Sequence, residues 1–206
     1  MDIALRGLFP TPVAAIEPPD SGPRNERLQR IILAHRDAFP SIRSSNAGGW
    51  HSDRDLPEWG GPDVKEILAI ARSAATRLVS DRDGAPVKPR WVAQAWANVN
   101  GPGDSNICHY HPGSFWSGTY YVADGGCAAD PSLGGEFEML DPRGPGPSMY
   151  APTLKFAGED GRSAGSAESI SPRPGLLVLF PSWLNHQVRP YRGTALRISI
   201  AFNLGL

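Results

Sequence analysis

The sequence is short of cysteine and histidine and carries no surplus of charge. It contains only two cysteines, Cys108 and Cys127, and neither belongs to a C-x-x-C pair, which excludes a disulfide framework and a cysteine-rich zinc site. Twenty basic side chains against 21 acidic ones leave a formal charge of −1, so no long-range field draws the chain to nucleic acid or to an anionic membrane. No apolar run approaches the ~20 residues of a membrane-spanning helix. The opening Met1-Asp2-Ile3-Ala4-Leu5-Arg6 has neither the basic nor the apolar stretch of a secretory signal, and the expectation is a cytoplasmic protein. Against these absences stand 40% hydrophobic residues in a chain of 206, enough for one buried core. Twenty-three glycines and 21 prolines call for many turns and short strands rather than a helical bundle.

The apolar pattern changes period part-way along. Leu8 to Ile16 alternates weakly, and its prolines confine it to an edge strand or an extended lead-in. Leu28, Ile31, Ile32 and Ala38 recur at helical spacing, which predicts a helix over 25–39 with Asn25 as N-cap and Pro40 as stop. Ser44 to Pro57 is polar and reads as a loop that packs Trp50. A second helix is expected over 62–80, with Val64, Ile67, Leu68, Ala71, Ala75 and Leu78 on one face. Beyond the Asp81-Arg82-Asp83-Gly84 turn the period becomes two, and strands are expected over 90–100, 115–123, 135–140, 175–180 and 194–203. The result is a single α+β domain over 1–206, mainly β, with helical support over 1–85, a β core over 86–206 and a loop or lid at about 141–174.

Two of the five histidines stand in His109-Tyr110-His111, and a third, His186, follows Phe180-Pro181-Ser182-Trp183-Leu184-Asn185. Residues two apart on a strand share a face, so His109 and His111 can reach one metal ion. A third ligand from another strand completes a facial set that suits Fe(II) or another imidazole-binding metal. The competing reading makes His109 and His111 surface-loop residues beside Pro112 and Gly113. On the last strand Arg197 and Ser199 share one face and Ile198 and Ile200 the other. A guanidinium fork with a hydroxyl two residues away can clamp a carboxylate; an arginine reaching solvent from a strand end is the alternative.

Five blocks of the sequence resemble a bacterial and phage group of 2OG-Fe(II) oxygenases. They are His109-x-His111-Pro112, Trp116 to Val122, Asp141-Pro142-Arg143, Pro174 to His186, and Arg197-Ile198-Ser199-Ile200-Ala201-Phe202-Asn203. Leu8-Phe9-Pro10-Thr11-Pro12 and Trp96-Ala97-Asn98-Val99-Asn100 extend the likeness over nearly the whole chain. The resemblance implies a double-stranded β-helix (jelly roll) buttressed by the N-terminal helices, with Fe(II) at its mouth and 2-oxoglutarate as cosubstrate. Matched residue by residue, the first and distal metal histidines are His109 and His186. The pair meeting the far carboxylate of 2-oxoglutarate is Arg197 and Ser199.

One position departs from the wider superfamily, which places Asp or Glu where this chain has His111. Either His111 is the third ligand, or Glu136, Glu138 or Asp141 supplies a carboxylate, or the site has two histidines only. Asn98 and Asn100 share a strand face and are candidates to hydrogen-bond the cosubstrate or orient an imidazole. Tyr120 and Tyr121 point to opposite faces, so one alone enters the cavity, and Tyr120 is assigned to the cosubstrate. Trp116 and Trp183 read as core aromatics and Cys108 as a buried, inert thiol.

The combined reading is a 2-oxoglutarate-dependent dioxygenase, a hydroxylase of a small-molecule or amino-acid-like substrate, with a homodimer through the N-terminal strand or helices as an open expectation. A cupin-like metal- or ligand-binding module without turnover is the alternative, since a jelly roll with clustered histidines does not fix function. Arg197-x-Ser199 separates the two, because a pure binding module needs no carboxylate clamp one strand past the metal. The same clamp argues against a three-histidine dioxygenase that works without 2-oxoglutarate.

Overall fold

Glycine and proline cut the second half of the chain into strands of three to nine residues. A computed structural model describes residues 8–144, 149–154 and 167–206. In order these form β1 (Ala14–Ile16), α1 (Ser21–Ala38), β2 (Asn46–Ala47), β3 (Trp50–His51), α2 (Leu56–Trp59), α3 (Gly61–Arg77), β4 (Val92–Asn100), β5 (Ser105–His109), β6 (Trp116–Asp124), β7 (Phe137–Leu140), β8 (Ala167–Ile170), β9 (Leu177–Pro181), β10 (His186–Val188) and β11 (Arg197–Gly205). The strands make a six-stranded sheet ordered β1-β9-β6-β11-β4-β3 and a five-stranded sheet ordered β2-β5-β10-β7-β8. Adjacent strands run antiparallel. The architecture is the expected mainly-β jelly roll with helices on one side.

Strand alternation sorts the side chains. On β11, Ile198, Ile200, Phe202 and Leu204 join the core beneath the helices, together with Ala95, Ala97 and Val99 of β4. Leu28 and Ile32 of α1 and Val64, Ile67, Leu68, Ala71 and Ala75 of α3 close that core from outside. Each Val, Leu or Ile among them, fully buried, is worth about 1.5–3 kcal/mol. The opposite faces look into the space between the sheets. Part of that space is a second apolar cluster of Tyr121, Phe137, Met139, Leu176, Val178, Phe180 and Leu184, and the rest is polar.

Several expectations need correction. α1 starts at Ser21, so Asn25 lies inside the helix rather than capping it. Asp20, at φ 55, turns the chain into the helix, and Pro23 falls in the first turn, where its missing N–H costs nothing. The stretch 44–57, read as a loop, contributes β2, β3 and the start of α2. The first 85 residues are therefore not helical support alone, since β1, β2 and β3 join the two sheets. Within the expected lid at 141–174, Ala167–Ile170 is a strand paired with β7, and residues 145–148 and 155–166 lie outside the described residues. Trp116 is buried as expected, but Trp183 is 52% exposed. Cys108 is exposed and Cys127 is the buried cysteine.

Gly118 on β6 shows how tightly the helix-side core is filled. A Cβ at this position would collide with the Phe202 ring and the Val178 carbonyl oxygen. Gly118→Val is expected to cost about 1–3 kcal/mol or more through overpacking, read as a lower urea midpoint at unchanged slope; an unchanged midpoint would contradict this packing.

Candidate metal and cosubstrate site

The three histidines reach one point from two adjacent strands and the turn that follows one of them. His109 closes β5 and His186 opens β10, and the two stand directly opposite in the antiparallel pairing. His111 lies two residues beyond the end of β5, off the strand that was expected to carry it. Its backbone N–H donates to the Ser182 carbonyl at 2.9 Å, which fixes the turn and returns the ring to the cluster. Ring centroids are 4.4 Å apart for His109 and His186, 4.9 Å for His109 and His111, and 5.1 Å for His111 and His186. One nitrogen of each lies within 4.8 Å of the others, the only such group of His, Cys, Asp or Glu among the described residues.

Hydrogen bonds set the tautomers. His109 Nδ1 donates to the Ile107 carbonyl at 2.7 Å and His186 Nδ1 to the Leu184 carbonyl at 2.8 Å. A carbonyl only accepts, so Nδ1 carries the proton and Nε2 keeps its lone pair for a metal. Burial lowers the pKa of all three rings, and neighbouring imidazoles add to the effect for His111 and His186. His111 falls to about 3 and His186 to about 4. Three neutral imidazoles at neutral pH are a donor set that fits Fe(II).

The candidate carboxylates lie elsewhere. Phe137 and Met139 take the inward face of β7, so Glu138 turns away and accepts from Gln187 Nε2 at 2.6 Å and Arg189 Nη1 at 3.1 Å. Asp141 pairs with Arg143 at 2.6 Å. Glu136 also stands outside the histidine group.

Across the space between the sheets, Arg197 is 1% exposed at the start of β11. Its Nε donates to the Gly135 carbonyl at 3.1 Å and its Nη1 to Asn100 Oδ1 at 3.4 Å. The guanidinium carbon lies 5.4 Å from the centre of the Tyr121 ring. Arg197, Ser199, Asn98 and Tyr121 line a cavity of about 50 Å³ whose walls include all three histidines. The Tyr121 hydroxyl and Asn98 Oδ1 are buried without a hydrogen-bond partner, as expected of groups that wait for a polar ligand.

Asn100 does not line the cavity and acts on it through Arg197. Tyr120, assigned from sequence to the cosubstrate, is corrected here. Its hydroxyl donates to Asn25 Oδ1 at 2.7 Å on the helix side, and Tyr121 takes the inward face. Trp96 was missed altogether; it lines the cavity 5.7 Å from the His111 ring. Its place one alternation before Asn98 is the signal that would have found it.

A profile of the protein family described as "Putative 2OG-Fe(II) oxygenase" matches residues 94–203. The chain belongs to this family. The match takes in the three histidines, Arg197 and Ser199. No curated protein gives a significant sequence match. Among solved structures, a Trichoplax adhaerens prolyl hydroxylase in complex with a hypoxia inducible factor peptide fragment superposes with a TM-score of 0.64 at 16% identity, covering 94% of this chain and 83% of that one. A Pseudomonas putida prolyl-4-hydroxylase gives 0.59 at 17% identity over 95% and 92%. HygX from Streptomyces hygroscopicus, with nickel and 2-oxoglutarate bound, gives 0.57 at 13% identity over 95% and 83%. At these identities the likeness establishes the shared oxygenase fold. No helix among the described residues is long and apolar enough to cross a membrane.

The lowered histidine pKa values make the metal-free oxygenase sensitive to acid. A native pKa below the unfolded value of about 6.5 means that the unfolded chain binds more protons in between. Stability is then fully present above about pH 6.5 and falls as pH drops towards the native values of about 4 and 3. His111→Gln is expected to remove about 1–2 kcal/mol of the loss between pH 7 and pH 5, measured by urea unfolding after metal removal. An unchanged loss would contradict the burial of a neutral imidazole at this position.

Proposed function

We propose that this oxygenase is a hydroxylase whose Fe(II) is held by Nε2 of His109 and His186 and by the His111 ring, with 2-oxoglutarate in the inner cavity. The observation that carries the reading is the single cavity shared by three neutral imidazoles and a buried guanidinium. A guanidinium withdrawn from water is costly unless paired, and the Gly135 carbonyl and Asn100 amide satisfy only part of it. Arg197 and Ser199 would take the far carboxylate of 2-oxoglutarate, and the Tyr121 hydroxyl and Asn98 amide offer further polar contacts. Fe(II) with 2-oxoglutarate, when bound, supplies oxygen activation, leaving succinate and carbon dioxide and placing one oxygen atom on a substrate C–H bond. The chain's own contribution is binding and orientation: Asn100 and Gly135 aim the guanidinium, the Ile107 and Leu184 carbonyls aim two imidazoles, and Phe137 and Phe180 exclude water from one side.

The cupin-like alternative is disfavoured by the same burial, since a binding module gains nothing from a cation sealed behind its metal. The proposal keeps a cytoplasmic enzyme acting on a small-molecule or amino-acid-like substrate. It also keeps a homodimer through the N-terminal strand, where Leu8 and Phe9 are exposed ahead of β1.

His109→Ala and His186→Ala are each expected to abolish stoichiometric Fe(II) binding, with a similar or smaller loss for His111→Ala, in metal analysis of the purified variants. Full iron occupancy in the first two would remove the assignment. Arg197→Met should weaken 2-oxoglutarate binding to the anaerobic Fe(II) protein by about 2–5 kcal/mol, roughly 30-fold to several-thousand-fold. Ser199→Ala should cost about 1.5–3 kcal/mol. Calorimetry reads both, and a larger loss for Ser199→Ala than for Arg197→Met would show the clamp to be misplaced.

A further inference from the structure

The inner cavity opens past the histidines into an outer cleft of about 680 Å³, with Ser45, Trp96, His109 and His111 common to both. Among the described residues, no Asp or Glu lines either space, and Arg54 is the only Lys or Arg on the cleft wall. Arg54 is exposed and forms no hydrogen bond or ion pair with a described residue. Its guanidinium carbon stands 5.8 Å from the centre of the Trp96 ring, the same ring that lies 5.7 Å from His111. The flanking acids do not neutralise it within the cleft: neither Asp53 nor Asp55 lines the wall, and Asp55 Oδ1 accepts from Trp59 Nε1 at 3.0 Å. Cation–π contact with a buried ring holds the guanidinium at the mouth while its donors stay free. The remaining polar wall is neutral, with the hydroxyls of Ser44 and Ser114 and the amides of Gln94 and Asn203.

Charge complementarity then selects the ligand. Imidazoles cancel none of a metal dication's charge, whereas an acidic ligand in the place of His111 would cancel part of it. A dianionic cosubstrate neutralises only part of what the metal, Arg197 and Arg54 present together. A second anion is favoured in the cleft and a cation is opposed.

We propose that the primary substrate carries a carboxylate, and that Arg54 binds it at the mouth of the cleft and so orients the substrate towards the histidines. The inference rests on the oxygenase reading and names the substrate class of that site.

The test uses the full chain, anaerobic and loaded with Fe(II) and 2-oxoglutarate. It is titrated with the N-acetyl derivatives of the common amino acids and with the corresponding carboxamides, followed by the circular dichroism of the Fe(II) ligand-field bands. The acids are expected to bind about tenfold tighter than their carboxamides, as for a charge-assisted pair near the surface, and more weakly as salt is raised. Arg54→Gln should remove most of that preference and change the 2-oxoglutarate Kd far less, since Arg54 does not line the inner cavity. In the carboxamide series only the aspartyl and glutamyl members keep an anion, so binding confined to them supports the proposal with a side-chain carboxylate as the anchor. Equal binding of acids and carboxamides, binding of none of the probes, or a preference that survives Arg54→Gln overturns it. Failure of 2-oxoglutarate to bind the wild-type protein is a separate result, and it overturns the oxygenase reading as well.

Discussion

Arg197 places a permanent charge where almost no water reaches it, and much of the surrounding structure answers that constraint. A guanidinium cannot shed its proton to relieve burial, so its donors must be met in place. β11 lies between β4 and β6 in the middle of the larger sheet. Asn100, directly opposite Arg197 on β4, meets Nη1 from one side, and the Gly135 carbonyl, in the segment leading into β7, meets Nε. Gly135 sits at φ 74, and a Cβ there would lie 3.2 Å from Arg197 Cδ. A larger residue would be strained in backbone and would crowd the arginine stem. Loss of the glycine would therefore disturb the proposed clamp without touching any ligand.

The same alternation that points Arg197 inward points Ile198 and Ile200 to the helices. Both faces of the large sheet are occupied, so a slip of one residue along β11 would drive isoleucine into the polar cavity and a guanidinium into the helix-side core. Register is specified twice over. On the other sheet the pairing of His109 with His186 plays the corresponding part, since displacement of either strand would separate two imidazoles of the proposed metal site.

The sequence makes some of this legible and hides the rest for physical reasons. Five strands and two helices can be read from the sequence: β4, β6 and β11 run for nine residues each and repeat their pattern, while β7 and β9 are short, mostly apolar stretches set off by glycine and proline. β5, β8 and β10 have five, four and three residues of mixed polarity, so neither alternation nor an apolar run marks them, yet two of them carry histidines of the proposed metal site. His111 converges with His109 for a reason the spacing rule does not contain: a backbone hydrogen bond to Ser182 redirects the chain after the strand has ended. Tyr120 and Tyr121 are both completely buried. Hydrophobicity could not tell which face held the cavity, and only the phase of the whole strand against its neighbours decides it. Trp183 and Cys108 fail through the opposite error, in which residue types that are usually buried sit on the outside.

The histidine pairing across β5 and β10 also bears on how the fold holds together. An ion shared by residues 109 and 186 ties two points far apart in the chain, as a cross-link does, and restricts the loop between them. The smaller sheet is built from strands of two to five residues, so it has few backbone hydrogen bonds of its own to resist opening. Ligation from the folded arrangement alone would add its binding free energy to folding. With the proposed ligand set, metal supply would govern the lifetime of the smaller sheet as well as catalysis, and starvation for the ion would expose the cavity side of the protein to proteolysis before the helix-side core is affected.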